Sequence, residues 1–402
     1  MLWTQLGCVD ADKTLVYLKR AGSSPVNLSL RRDDDLPPHD PFFQIVPHTI
    51  QRLKSLHLWG TPEGLQSVID QLSSPAPLLE GMSITGTGNF KAEGPPTLMS
   101  ALFGGDLSSL SELHLQKVRI ELPWRNMVSL TSFRLHGASP VSMGQLLDFF
   151  EGAPRLREVH LHFKTPTFSD QTGRLVSLAC LKKMSIYGGP SSVLLEHLLI
   201  PVGTLLGAEV ELPSPPIRDH PPRFFDNLRI LPGFTAVQLV GGRCPHMGFS
   251  GPNGEVRMTL STPPDDGTCL VLESLTNFDT QKTERLEIEF MHSPPSYPPC
   301  RVLLPMKDLR TLTLHNCTNT CVFVHALDPN VGSLGALLCP KLEELIIGDE
   351  GKLDIKIVVG MAAARESRGA GLKSIRIVNL QGPAYAQLDV SELAKHVPHL
   401  EC

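Results

Sequence analysis

Apolar and polar residues alternate along this chain in one short phrase, apolar-x-x-apolar-x-apolar, repeated many times. Leu110-Ser-Glu-Leu113-His-Leu115 is followed by Leu130-Thr-Ser-Phe133-Arg-Leu135, Leu156-Arg-Glu-Val159-His-Leu161 and Leu181-Lys-Lys-Met184-Ser-Ile186. Leu53–Leu58, Leu309–Leu314, Leu342–Ile347 and Leu372–Ile377 are clear further copies, and Leu79–Ile84 is a weaker one. Phe234-x-x-Val237-x-Leu239 and Leu286-x-Ile288 keep part of the phrase. The period of two within each copy predicts a short strand whose second and third apolar residues point inward. The stretches between copies read as return segments: 63–72, 97–103, 141–151 and 191–199, then 331–338, 355–368 and 390–396. Pro or Ser near the start of several is helix-start chemistry, and Met143-x-x-Leu146-Leu147-x-x-Phe150 has helical spacing.

The central copies start at 110, 130, 156 and 181, spacings of 20, 26 and 25 residues. A recurrence in that range marks leucine-rich repeats, each one strand plus a return. The expected fold is an α/β leucine-rich-repeat solenoid of about a dozen strands. Its curved parallel sheet would form the concave side, with helices and irregular returns on the convex side. Residues 213–304 depart from the pattern through proline clusters, and 240–272 reads as extra strands, with Asn253-Gly254 as a hairpin turn ahead of Val256–Leu260. An irregular repeat with a β insertion is the first reading there; a separate domain or a lid is the other. Near the start, Asp12–Ala21 reads as a short helix with Leu15, Val16 and Leu18 on one side. Val26–Leu30 reads as a strand, 31–41 as a charged loop and 42–48 as a short helical return.

Composition narrows the function classes. The 402 residues carry a net charge of −5, so no basic field is present to attract nucleic acid or an anionic membrane. The richest apolar run, 193–210, is broken by Glu196, His197 and Pro201 and reads as a buried repeat segment, not a membrane span. The first residues lack the pattern of a signal peptide, and the nine cysteines are scattered and odd in number. The expectation is a cytoplasmic or nuclear protein with reduced thiols, in which the acceptor patterns at Asn27 and Asn316 are chance matches. Phosphate-binding glycine loops, the Gly-x-Ser-x-Gly elbow and His-Glu-x-x-His are all missing. Cys317-x-x-x-Cys321 has the wrong spacing for a redox pair or a zinc knuckle. No catalytic residue, cofactor or metal is expected, and the chain reads as non-enzymatic.

The repeat also maps the surface, because residues flanking the two inward positions must face out. Successive strands present His57 and Trp59; Ser83 and Thr85; Glu112, His114 and Gln116; Ser132, Arg134 and His136; Glu158, His160 and His162; Lys183, Ser185 and Tyr187. Beyond the break come Glu287 and Glu289, Thr313 and His315, and Arg376. His114, Arg134, His136, His160, His162 and Tyr187 cluster on neighbouring strands, and strands ~4.8 Å apart would bring His136 and His162 nearly into contact. Trp59 and Trp124 stand at strand ends, where they either anchor a partner or cover the core edge. The cluster admits a metal site, a proton-sensitive patch, a partner-binding face or an ordinary solvated surface. Trp59, His114, Arg134, His136, His160, His162 and Tyr187 are the candidate partner-binding residues.

Leu2-Trp3-Thr4, Asp10 to Lys13, Tyr17-Leu18-Lys19-Arg20-Ala21-Gly22 and Pro25 to Leu30 form a junction that resembles another protein class. It is similar to the segment after the F-box in fungal F-box proteins with C-terminal leucine-rich repeats. The resemblance implies a substrate receptor of a cullin-type ubiquitin ligase, whose repeat surface holds a protein for ubiquitin transfer. The F-box, which docks the Skp adaptor, is expected to be missing before Leu2, so adaptor binding is doubtful. A free-standing repeat scaffold or inhibitor is the alternative. The expected organisation is 1–30 as the segment after the F-box, 31–212 as repeats, 213–304 as irregular repeats with the β insertion, and 305–402 as repeats with a C-terminal helix.

Overall fold

A computed structural model of the chain describes residues 5–7, 11–32, 49–87, 97–98, 102–120, 127–138, 142–163, 173–188, 191–201, 203–211, 234–240, 246–252, 254–261, 275, 280–289, 299–317, 320–331, 337–348, 353–378 and 390–401. The chain is a mixed α/β protein that divides into two compact units, 1–201 and 202–402.

Eight strands make the sheet of the first unit: β1 (Gln5–Gly7), β2 (Val26–Arg32), β3 (Leu53–Gly60), β4 (Gly81–Gly86), β5 (Glu112–Gln116), β6 (Ser132–Ala138), β7 (Glu158–Phe163) and β8 (Lys183–Tyr187). Each pairs in parallel with its neighbours in chain order. Register is held from strand to strand. One buried row runs Leu28, Leu56, Met82, Leu113, Phe133, Val159 and Met184; the next runs Leu30, Leu58, Ile84, Leu115, Leu135, Leu161 and Ile186. These are the second and third apolar positions of the phrase. Burying one such side chain is worth about 1.5–3 kcal/mol, and a one-residue slip would turn both rows to water, so the register is fixed by the core.

The first apolar residue of the phrase has a different task. Leu79, Leu110, Leu130, Leu156 and Leu181 each donate a backbone N–H to the carbonyl three residues earlier, on Ala76, Leu107, Met127, Ala153 and Leu178. That turn feeds the chain into the strand. The carbonyl of the residue after the turn then accepts two N–H groups from the following repeat. Thr131 and Ser132 donate to Ser111, Arg157 and Glu158 to Thr131, and Lys182 and Lys183 to Arg157. Left-handed residues stand at or near the ends of three strands, Lys117 (φ 53°), Gly137 (φ 62°) and Gly188 (φ 69°).

The returns are more varied than expected. α1 (Ala11–Ala21) buries Thr14, Leu18 and Ala21, whereas Val16 is exposed; Leu15, Val16 and Leu18 do not share one buried side, because neighbouring helical positions diverge by about 100°. α2 (Pro62–Ile69) is capped by Thr61, whose Oγ1 accepts from Gly64 N. α3 (Met143–Gly152) starts with a reciprocal capping box between Ser142 and Gln145. It packs Phe149 on Phe133 at 4.4 Å between ring centroids. In the return at 97–103, Thr97–Leu98 pairs in parallel with Arg119–Ile120, and the 3-10 turn at Leu102–Gly105 contains left-handed Phe103 and Gly104. In the 191–199 return, α4 (Ser191–Leu195) gives way to Leu198–Leu199, which pairs with Val176–Ser177. Neighbouring returns thus hydrogen-bond to one another where the chain stays extended.

The second unit adds β9 (Leu205–Glu211), β10 (Ala236–Val240), β11 (His246–Gly251), β12 (Gly254–Ser261), β13 (Arg285–Glu289), β14 (Thr311–His315), β15 (Glu344–Gly348), β16 (Ser374–Val378) and β17 (His399–Glu401). From β10 through β13 to β17 the strands pair in parallel. A β11–β12 hairpin sits between β9 and β10, antiparallel within itself and to β10, while β12 runs parallel to β9. The insertion expected from sequence is therefore a hairpin spliced into the sheet. Its register differs from the reading by one place: Gly254 pairs with Gly251 and belongs to the ladder, not the turn. The same turn-and-carbonyl unit recurs: Leu309 and Leu342 bond back to Met306 and Cys339, and the carbonyls of Glu284, Arg310 and Glu343 each accept two N–H groups. The returns supply α5 (Pro299–Leu303), α6 (Thr320–Leu327) and α7 (Ile355–Ser367), the last capped by Asp354. Residues 390–396 hold a 3-10 turn over Leu393–Lys395, not an α-helix, and β17 follows. The returns expected at 42–48 and over most of 331–338 lie outside the described residues.

Candidate functional site

The register that buries two rows of the first unit displays three others. The first polar row runs Asn27, Ser55, Gly81, Glu112, Ser132, Glu158 and Lys183. The second runs Ser29, His57, Ser83, His114, Arg134, His160 and Ser185. The third runs Arg31, Trp59, Thr85, Gln116, His136, His162 and Tyr187. Of these, Ser185 is buried; the outward assignment fails there, as it does for Thr313 in the second unit.

The candidate residues separate into two of these rows. His114, Arg134 and His160 are consecutive in the second row, on β5, β6 and β7. Burial of the imidazole, then the charge of Arg134, holds the pKa of His114 below its ordinary value, with smaller contributions from His136 and His57. His160 is lowered by burial, then Arg134 and Lys183, against an opposing pull from Glu158. Ser83 Oγ lies 3.5 Å from His114 Nδ1. Arg134 reaches Glu158 at 3.9 Å, with both side chains about half exposed, so that pair is held loosely.

In the third row His136 and His162 meet: His162 Nδ1 lies 2.9 Å from His136 Nε2, with ring centroids 4.3 Å apart. One nitrogen must donate and the other accept, so this contact is made by imidazoles that are not both doubly protonated. Tyr187 follows on β8 and is exposed. Trp59 stands three strands from His136 on β3, apart from the histidines, and Arg31 lies over its ring at 3.9 Å. That stacking covers one ring face and leaves the indole half-buried. Trp124 lies outside the described residues.

The polar rows enclose a groove of about 610 Å³ lined by His57, Ser83, Glu112, His114, Arg134, Arg157 and Glu158 among others. Sequence reasoning passed over Arg157. It sits at the turn position whose carbonyl takes Lys182 and Lys183. The signal available was its place directly after Leu156 in the phrase. Among the described residues no group of three His, Cys, Asp or Glu side chains could hold a metal ion. Cys317 is buried, its Sγ donating to His315 O at 3.3 Å, and Cys321 is half-buried; neither sits on the polar rows. In the second unit Glu287 and Glu289 are half-buried, and Arg376 is engaged by Glu401 at 2.7 Å. No helix among the described residues is long and apolar enough to cross a membrane.

A many-donor surface with the guanidiniums of Arg134 and Arg157, paired imidazoles and phenol and indole groups at its ends can grip a polypeptide side chain by side chain. Neither a known protein family nor a curated protein sequence matches the chain.

Proposed function

We propose that the protein is a non-enzymatic binding module, a leucine-rich-repeat solenoid that holds another protein against the polar rows of its first unit. The observation that carries this reading is the constant register of β2 to β8. It spends two rows on the core and lines up three rows of His, Arg, Glu, Trp and Tyr on the other face. Stacked repeats use such extended surfaces for partners. The recurring turn-and-carbonyl unit in both halves supports the solenoid description.

Within that role, the resemblance at Leu2 to Leu30 supports substrate recognition for an F-box-type ubiquitin ligase, in the cytoplasm or nucleus. A pull-down from source cells with this chain as bait, scored for the Skp adaptor and for a stoichiometric partner, tests both parts. Adaptor together with a partner supports the receptor; a partner without adaptor leaves a stand-alone scaffold or inhibitor; no partner removes the binding-module reading.

A further inference from the structure

We propose that the second polar row of the first unit is a carboxylate-recognition groove that takes an extended acidic segment of a partner protein. The inference rests on the binding-face reading above and assigns the chemistry of what binds there.

The groove has a permanent cation at its centre. Arg134 lies between His114 and His160 in register, with His57 two strands beyond His114. Its ion pair with Glu158 is 3.9 Å long and half exposed, so the guanidinium keeps donors for an incoming anion at little cost. The neighbouring imidazoles register the same field: after burial, Arg134 is the largest influence depressing both His114 and His160, and Glu158 offsets it only at His160. Glu112 and Glu158 stand in the row beside it. A carboxylate on Arg134 would make charge-assisted, bidentate hydrogen bonds, with His114, His160 and the Ser83 hydroxyl as further donors.

The same two glutamates decide which anion fits. They line the groove with the guanidiniums of Arg134 and Arg157, two fixed charges of each sign, so a dianionic phosphate would bring twice the uncompensated negative charge of a carboxylate. A monoanionic carboxylate adds the smaller excess and meets less repulsion from Glu112 and Glu158. The row crosses the strands at steps of ~4.8 Å, and an extended chain laid along it presents same-face side chains every ~6.7 Å. Two acidic residues separated by one other thus fall within reach of the three consecutive positions His114, Arg134 and His160.

The test is fluorescence anisotropy of the full chain with a labelled synthetic peptide of alternating glutamate and alanine, at neutral pH and low salt. Saturable binding is expected, weakened by added salt. Arg134→Gln should lower the affinity about tenfold, Arg134→Lys should fall between, and Arg285→Gln on the second unit should change nothing. Because Arg134 is an exposed strand residue, the variant is expected to fold, which its thermal unfolding checks. Absence of saturable binding, equal binding by Arg134→Gln, equal binding of an alternating lysine–alanine peptide, or tighter binding of a phosphoserine–alanine peptide would each overturn the proposal. If a captured cellular partner still protects Trp59, His136 and Tyr187 while the acidic peptide fails, the binding face stands and the carboxylate groove falls.

Discussion

Replacing Thr283 by valine should make the protein more stable. Thr283 occupies the turn position that is Leu110, Leu130, Leu156, Leu181, Leu309 or Leu342 in other repeats, and its N–H bonds back to Thr280 as theirs do. Thr280 and Thr283 are 3% and 1% exposed, and neither hydroxyl has a hydrogen-bond partner among the described residues. An unpaired buried polar group costs about 1–3 kcal/mol, and valine keeps the shape while removing it. The backbone turn is untouched. The expected gain is therefore about 1–2 kcal/mol, or several degrees in Tm for a unit of this size, at about 2–4 °C per kcal/mol. Urea unfolding should show a higher midpoint with an unchanged slope. Thr280→Val should act in the same direction, but the two sites are neighbours and their effects need not add. A variant less stable than the parent by 1 kcal/mol or more, on the order of a lost buried hydrogen bond, would refute the reasoning.

Three further outcomes follow from the geometry. Gly188→Ala should destabilise more than Gly348→Ala: at Gly188 (φ +69°) a Cβ would lie 2.2 Å from the Phe163 carbonyl oxygen, whereas at Gly348 it meets the His315 ring, a side chain that can turn away. Denaturation midpoints of the two variants compare them directly. His114 and His160 have folded pKa values below 6.5, so unfolded chains take up more protons as pH falls through 6.5. Their contribution to stability is complete above that pH and is lost progressively on acidification towards the folded values. Imidazole NMR titration should show both midpoints rising in Arg134→Gln, and unmoved midpoints would contradict the assigned cause. Burial pushes the Cys339 thiol up to about 12, whereas Cys180 is exposed. Brief alkylation of the native protein followed by mass spectrometry should label Cys180 and spare Cys339.

The sheet was legible because each strand copy places two apolar residues at a fixed offset, and those residues carry the core. The sequence predicts the contact of His136 with His162 for the same reason: equal offsets in adjacent copies become adjacent positions on parallel strands. The returns were less legible, since their sequences fix only which residues turn inward, and both short helices and extended pairings satisfy that. Thr97–Leu98 and Leu198–Leu199 found hydrogen bonds in neighbouring returns, a partner no local pattern displays. Thr283 hid its repeat by replacing the leading leucine. Alternation places Ser185 outward, yet it is buried at the same register position as exposed Arg134, two strands away.

Hydroxyl-radical footprinting of the protein bound to its captured cellular partner reads the central claim at the side chains themselves. Trp59, His114, His136, His162 and Tyr187 should be protected on binding, while Leu304 and Val331 of the second unit, both exposed, keep their reactivity. Protection confined to the second unit, with those five side chains as reactive as in the free protein, would contradict the assignment of the polar rows as the binding face.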